Sequence, residues 1–188
     1  MSRCLITYKE CNGDYSEDGL KLLNRNLMSV SPLQFTQSEL RTEEIAMSDK
    51  ISVKGVQPKL SARLNIKEGR FDIVDSHGTY IIKVQVPDRK QMPENEDLTM
   101  KLAKSIGIEV PVHGLLRDKE GTLNYFIKRF DRYSQKSKYA VEDFAQLTRR
   151  TSDTKYNASV ESLIPVIRDF CTFPAVEMVK LYRRMVFS

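Results

Sequence analysis

Short stretches of alternating apolar and polar residues fill the middle of the chain, and this spacing predicts β-strands. One strand face beginning at Leu60 would carry Leu60, Ala62, Leu64 and Ile66. Similar stretches cover residues 70–75, 80–86, 110–116 and 123–132, and glycine-containing turns separate the first three. The pattern therefore predicts a five-stranded antiparallel sheet within residues 48–132.

Helical spacing appears on both sides of this region. Residues 16–27 carry leucines at helical intervals, and Thr36 with Glu39 has the spacing of a capping box that opens a second helix. Further helices are predicted over 141–147, 159–170 and 174–188. We therefore expect an α+β protein with a helical N-terminal segment (1–47), a sheet domain (48–132) and a helical part (133–188).

One more helix is predicted inside the sheet domain, after Pro93. Its core side is expected to contain Leu98, Leu102 and Ile106, and Gly107 is the expected C-terminal cap.

The stretch before the first main strand has the composition of a phosphate-binding turn. It consists of Lys54, Gly55, Val56, Gln57, Pro58 and Lys59. A glycine lets backbone N–H groups converge on an anion, and the two lysines add positive charge. A kinase loop of the GxGxxG type has three glycines where this turn has one, so an ordinary hairpin remains an alternative.

Lys83 is the candidate for direct contact with phosphate. It interrupts an apolar strand, and burying its ammonium group requires an anionic partner. The acidic first turns of the helix after Pro93 offer one, and Glu96 is the predicted partner; these acidic residues would also suit the helix dipole alone. Three strands, a lysine on the third and an acidic residue on the next helix match the arrangement by which kinases hold ATP.

Composition narrows the alternatives. The 188 residues are 40% hydrophobic and 29% charged, without an apolar run long enough for a membrane span or a signal peptide, so a cytoplasmic protein is expected. A net charge of +5 is scattered, which disfavours direct nucleic-acid binding. Three cysteines without metal spacing and two isolated histidines predict no metal site, and His77 and His113 are expected at the surface.

Six ordered motifs resemble the HipA family of serine/threonine kinases, and especially the short HipT toxins of three-component HipBST systems. They are Ser52–Lys59, Tyr80–Lys83, Glu94–Glu96, Leu102–Pro111, Lys128–Arg132 and Glu142–Leu147. The resemblance covers nearly the whole chain and implies a protein-kinase-like N-lobe, five strands plus a helix, followed by the first helices of a helical C-lobe.

The resemblance also implies roles for individual residues. Residues 54–59 would form the phosphate loop, and Lys83 would contact the α- and β-phosphates of ATP. The backbone at Lys128 and Phe130 would meet the adenine edge, and Asp131 would bind the ribose hydroxyls. Ser52 matches the serine that these kinases phosphorylate on themselves, and a phosphate there would repel ATP.

No kinase-type catalytic aspartate motif or magnesium-binding aspartate motif occurs in the sequence. We therefore expect the N-terminal portion of a HipT-like toxin kinase, ending before the catalytic loop and inactive by itself. The intact enzyme would use ATP with Mg²⁺, typically on an aminoacyl-tRNA synthetase. Its partners would be a HipS-like antitoxin and a DNA-binding HipB-like protein. A catalytically dead module that binds the antitoxin, and a DNA-binding regulator, remain alternatives.

Overall fold

The computed structural model describes residues 2–47, 59–134, 136–151, 154, 157 and 159–187. The chain divides into two compact units, residues 1–138 and 139–188. Ser52 and the predicted phosphate-loop residues 54–58 lie outside the described residues, so only Lys59 of that loop can be placed.

The first unit contains seven strands and three helices in its described part. They are β1 (Ser2–Arg3), β2 (Glu10–Cys11), α1 (Glu17–Leu23), α2 (Gln37–Met47), β3 (Leu60–Asn65), β4 (Arg70–Ile73), β5 (Tyr80–Lys83), α3 (Met92–Ser105), β6 (His113–Arg117) and β7 (Leu123–Lys128). Strands β3 to β7 form one antiparallel sheet in the order β4-β3-β5-β7-β6. The predicted α+β architecture with a five-stranded antiparallel sheet is therefore confirmed.

The core of this unit lies between one face of the sheet and the N-terminal segment. Three rings pack together on this face, with the Phe71 centroid 5.1 Å from those of both Tyr80 and Phe126. The same buried cluster includes Leu23 of α1 and Leu40 of α2. The N-terminal helices thus cover the sheet, as their apolar spacing predicts.

Hydrogen bonds outside the regular elements tie the N-terminal segment to strand β6. The Leu115 N–H donates to the Leu5 carbonyl oxygen at 2.9 Å, and the Tyr15 hydroxyl donates to the Leu115 carbonyl oxygen at 3.0 Å. Because β6 is an edge strand, these bonds use groups that a neighbouring strand would otherwise occupy.

The predicted caps are present at two helices. The Thr36 N–H donates to a Glu39 carboxylate oxygen at 2.7 Å, and the Glu39 N–H donates to the Thr36 hydroxyl at 3.3 Å, which completes the capping box at α2. At the end of α3, Gly107 adopts a φ of +80°, and its N–H donates to the Lys104 carbonyl oxygen. A left-handed residue at this position ends a helix with its last carbonyls satisfied.

The prediction of which side of α3 faces the core is wrong. Leu98, Leu102 and Ile106 are 45%, 50% and 51% exposed, whereas Asp97 is fully buried and Ala103 nearly so. Hydrophobic spacing alone cannot reveal this orientation, because polar partners from other elements surround Asp97. They are described with the site below.

The second unit is helical in its described part. It contains α4 (Phe144–Leu147), a 3₁₀ turn (Val160–Leu163), α5 (Ile164–Phe170) and α6 (Pro174–Phe187). Ile167 of α5 is buried, whereas Val179, Tyr182 and Val186 on α6 are exposed. None of the described helices is both long and apolar enough to cross a membrane.

Candidate functional site

Lys83 ends strand β5 on the sheet face opposite the aromatic core. Tyr80 and Ile82 point into that core, so alternation along the strand directs Lys83 to the other side. Its Nζ atom lies 2.7 Å from a carboxylate oxygen of Glu96 on α3. The side chains of Lys83 and Glu96 are 28% and 25% exposed, so this ion pair is mostly buried but solvent still reaches part of it.

Strand register places an aromatic ring beside the same lysine. Lys83 pairs directly with Tyr125 of β7, and its Nζ atom lies 5.8 Å from the centroid of the Tyr125 ring. A cation over the face of an aromatic ring at this distance is attracted by the ring's quadrupole. Burial, followed by the charges of Glu96 and Asp97, raises the pKa of the Tyr125 hydroxyl, so this group stays neutral.

The end of β7 lies at the other end of the same strand pair. Lys128 pairs with Tyr80, three residues before Lys83, which corresponds to roughly 10 Å along a strand. The Lys128 N–H donates to the Val112 carbonyl oxygen at 2.7 Å, so this group is already bonded. The Phe130 side chain beyond it is exposed.

Asp131 is buried and paired with Arg129. The Arg129 guanidinium donates to both carboxylate oxygens, at 2.9 and 2.6 Å. These hydrogen bonds outweigh the opposing effect of burial and hold the pKa of Asp131 below its ordinary value. The carboxylate is therefore a charged acceptor whose geometry the arginine fixes, and any ligand hydroxyl would have to use its remaining lone pairs.

A buried polar cluster beneath α3 was not predicted from the sequence. Asp97 accepts hydrogen bonds from Lys101 Nζ, at 2.8 Å to each oxygen, and lies 2.8 Å from His113 Nδ1. Lys101 Nζ also lies 4.3 Å from the centroid of the Tyr8 ring, and Tyr8 helps to lower the pKa of Asp97. We refer to Tyr8, Asp97, Lys101 and His113 as the Asp97 cluster.

The cluster keeps its carboxylate charged despite its burial. Burial pushes the pKa of Asp97 upward, but the hydrogen bonds with His113 and Lys101 outweigh it, and the pKa lies below its ordinary value. Burial lowers the pKa of Lys101, against the opposing effect of Asp97. The predicted surface position of His113 is wrong, because the residue is only 6% exposed, whereas His77 is exposed as predicted.

Two sequence signals point toward the cluster. Asp97 and Lys101 have the i, i+4 spacing of a helical ion pair, and His113 stands within an apolar strand.

A cavity of about 480 Å³ adjoins the cluster and is lined partly by Ile6, Val112 and Lys104. Within the described ranges, no three His, Cys, Asp or Glu side chains come together as metal ligands would.

The arrangement of Lys83 and Glu96 can hold an anion. The ammonium group has three donors, and Glu96 uses one of them while fixing the side chain's direction. The remaining donors can bond phosphate oxygens. The structure thus brings Lys83 and Glu96 together and places Lys128 at the other end of the same strand pair, with residues 129–131 directly after it in the chain. The nucleotide roles of all these residues stay predictions.

Comparison with known proteins identifies relatives along the whole chain. The family model of the HipA-like C-terminal domain matches residues 51–188. A Haemophilus influenzae protein named "Putative kinase" is 28% identical over 204 residues, which cover all of this chain and 59% of that protein. The protein named "Putative kinase Y4dM" from Sinorhizobium fredii is 32% identical over 154 residues, covering 74% of this chain and 37% of its own length.

Another Sinorhizobium fredii protein, named "Putative kinase Y4mE", is 26% identical over 148 residues, covering 74% of this chain and 35% of its own length. The chain therefore spans between about one third and three fifths of the curated relatives that it matches.

Proposed function

Because the chain belongs to the HipA-like C-terminal domain family, we propose that it supplies the nucleotide-binding lobe of an ATP-dependent serine/threonine protein kinase. The observation that carries this proposal is the Lys83–Glu96 ion pair, formed between the third strand of a five-stranded antiparallel sheet and the helix that follows it. Protein kinases use this combination to hold the α- and β-phosphates of ATP.

In this proposal Lys83 contacts the phosphates and Glu96 fixes its direction. The phosphate loop comprises residues 54–59, Phe130 contributes backbone to the adenine edge, and Asp131 offers its remaining lone pairs to the ribose. Because the Lys128 N–H already donates to the Val112 carbonyl oxygen, another residue has to supply the backbone N–H that bonds adenine. The Mg²⁺ that accompanies ATP would neutralise phosphate charge, and we assign no residue of this chain to it.

Titration of the 188-residue chain with ATP tests the proposal, with Lys83→Ala as the variant. Loss of the ammonium group removes charge-assisted hydrogen bonds to phosphate, so we expect ATP affinity to fall by at least tenfold, which corresponds to about 1.4 kcal/mol. Lys119→Ala is a suitable control, because it removes a lysine from the turn between β6 and β7. Equal affinity of the wild-type and Lys83→Ala proteins would contradict the proposal.

The wider role proposed for the intact protein is that of a HipT-like toxin in a toxin–antitoxin system. Its substrate would be an aminoacyl-tRNA synthetase, and its partners a HipS-like antitoxin and a HipB-like DNA-binding protein. Incubating the full-length kinase with labelled ATP and a panel of purified synthetases tests the substrate, and label on none of them would contradict it. The 188 residues alone are expected not to transfer phosphate, because their sequence lacks a kinase-type catalytic aspartate motif.

Regulation is proposed at Ser52. Phosphate there would add about two negative charges beside the site for ATP phosphates and would weaken nucleotide binding. Mass spectrometry of the full-length protein after incubation with ATP tests this directly. A phosphate on Ser52 that is absent from Ser52→Ala supports the proposal, and an unmodified Ser52 contradicts it.

A second candidate function is a catalytically inactive module that binds the antitoxin. The exposed side chains of Leu98, Leu102 and Ile106 favour it, since they form an apolar stripe at i, i+4, i+8 spacing along α3. Absence of ATP binding, together with tight binding of a small HipS-like protein, would support the module. A DNA-binding regulator would instead bind random duplex with a steep salt dependence.

A further inference from the structure

Helix α3 turns a carboxylate, and not its leucines, toward the sheet. Asp97 is fully buried, while Leu98 and Leu102 of the same helix are about half exposed. An amphipathic helix normally turns its apolar stripe toward the core. Burial of the leucines therefore does not fix the rotation of α3, and the buried side of the helix consists of Pro93, Asp97 and Ala103.

The contacts of Asp97 supply that constraint. One partner, His113, belongs to strand β6. The Tyr8 ring of the N-terminal segment packs against a second partner, Lys101, with its centroid 4.3 Å from Lys101 Nζ. Lys101, one helical turn away, occupies both carboxylate oxygens at 2.8 Å. Leaving a buried carboxylate without these partners is strongly unfavourable, so they hold Asp97 on the sheet side of the helix.

The orientation of Asp97 determines where Glu96 points. Successive helical residues are rotated by about 100°, so Asp97 beneath the helix places Glu96 at the side where Lys83 emerges. A rotation of α3 by one residue would bury Leu98 in the place of Asp97. It would also turn Glu96 by the same angle away from Lys83, which breaks their 2.7 Å contact.

The two sites also share a sheet face and an aromatic residue. Strand register places Lys83 opposite Tyr125 and His113 opposite Ile127. The Tyr125 ring lies 6.0 Å from the His113 ring and 5.8 Å from Lys83 Nζ. The Tyr125 side chain therefore lies next to both the Asp97 cluster and the Lys83–Glu96 pair.

We propose that the Asp97 cluster is a positioning device that locks α3 in the rotation in which Glu96 holds Lys83 toward nucleotide phosphates. Asp97, His113 and Tyr8 act through Glu96 and do not touch the nucleotide. This inference rests on the proposed ATP-binding function and adds to it the residues that keep the site assembled.

A double-mutant cycle in the 188-residue chain tests the inference. Asp97→Asn and Glu96→Gln are made singly and together, and ATP affinity is measured by calorimetric titration at a temperature where circular dichroism shows every variant folded. Each single variant is expected to bind ATP about tenfold more weakly, within the range of coupled neighbouring residues. If Asp97 acts through Glu96, the double variant loses no more than either single one.

Two further variants separate positioning from general stability. Asp118→Asn is the matched control, because Asp118 is also a buried aspartate with several hydrogen bonds, but it lies at the turn between β6 and β7. It should lower the melting temperature without changing ATP affinity. Tyr8→Phe removes only the hydroxyl of Tyr8, which helps to lower the pKa of Asp97, and keeps the ring beside Lys101. A roughly threefold loss of ATP affinity is expected even if Asp97→Asn does not fold.

The outcomes distinguish this inference from the function on which it rests. Unchanged affinity in Asp97→Asn and Tyr8→Phe, with Lys83→Ala defective, would overturn the positioning role and leave the nucleotide site intact. Multiplicative losses in the double variant, or an equal loss in Asp118→Asn, would overturn it as well. Absence of ATP binding by the wild-type chain would overturn both.

Discussion

Replacement of Glu96 by glutamine is the sharpest test of how the Lys83 ammonium group is held. The substitution keeps the size and planar shape of the side chain, removes its negative charge and replaces one acceptor oxygen by an NH2 donor. The Nζ to Oε2 distance is 2.7 Å, and each side chain is about one quarter exposed. This pair is therefore screened less than a surface ion pair and more than a fully buried one.

The expected magnitude follows from this intermediate exposure. Exposed ion pairs contribute about 0–1 kcal/mol, and breaking a fully buried pair costs about 3–5 kcal/mol. We therefore expect Glu96→Gln to weaken ATP binding by about 1–2 kcal/mol, which is roughly a 5- to 30-fold loss of affinity. Lys83→Ala should lose more, because it removes the group that contacts phosphate as well as the pair.

Thermal unfolding with and without ATP provides an independent assay for the same variant. A ligand at 100 times its dissociation constant stabilises the folded state by about 2.7 kcal/mol. At the same ATP concentration, the stabilisation of Glu96→Gln should be smaller by the free energy lost in binding. Unfolding in the absence of ATP reports separately how much the ion pair contributes to stability.

Glu94→Gln is the matched control on the same helix. Glu94 lies in the first turn of α3, so its replacement by glutamine removes the same charge near the same helix dipole. The ion pair of Lys83 with Glu96 stays in place in this variant. Its ATP affinity should equal that of the wild type. Wild-type affinity in Glu96→Gln, or an equal loss in Glu94→Gln, would refute the argument that the ion pair positions the lysine.

Two stability predictions concern other parts of the first unit. Asp131→Asn removes the negative charge that the buried Arg129 guanidinium contacts through two hydrogen bonds, and it should destabilise the protein by about 3 kcal/mol at pH 7. Because the folded-state pKa of Asp131 is lowered, the contribution of this carboxylate to stability is present above about pH 4 and is lost as the pH falls further. Chemical denaturation should therefore show the free energies of unfolding of the variant and the wild type converging at acidic pH. A difference that stays constant with pH would contradict this. Gly78→Ala would place a Cβ atom against Ser61 Oγ and 2.9 Å from the Ala62 nitrogen, so the melting temperature should fall with a cost of about 1–3 kcal/mol, and an unchanged value would contradict the close packing.

Local sequence patterns predict the strands and caps of this protein well. Alternation places Tyr80 and Ile82 on the buried face and Lys83 on the other, and a left-handed Gly107 ends α3 as its position suggests. These features depend on residues close together in the chain, whose geometry is fixed by strand pleating and helix capping. The sequence likewise predicts Glu96, an acidic residue on the helix after Lys83, as the partner of that lysine.

The orientation of α3 depends instead on contacts distant in sequence. Asp97 is separated from His113 by 16 positions and from Tyr8 by 89. A spacing rule that counts leucines cannot include a carboxylate whose partners come from two other elements. The burial of His113 cannot be predicted from local spacing for the same reason, since its partner Asp97 reaches it only when α3 packs against β6.

Chemical labelling of Lys83 with an acyl-phosphate derivative of ATP is the most direct test of the central claim. Such a probe acylates a lysine amine that lies beside the bound phosphates, and peptide mass spectrometry identifies the modified residue. We expect label on Lys83 that excess unmodified ATP suppresses and that Glu96→Gln reduces. Label confined to other lysines, or label on Lys83 that ATP does not suppress, would contradict the assignment of this lysine to a nucleotide site.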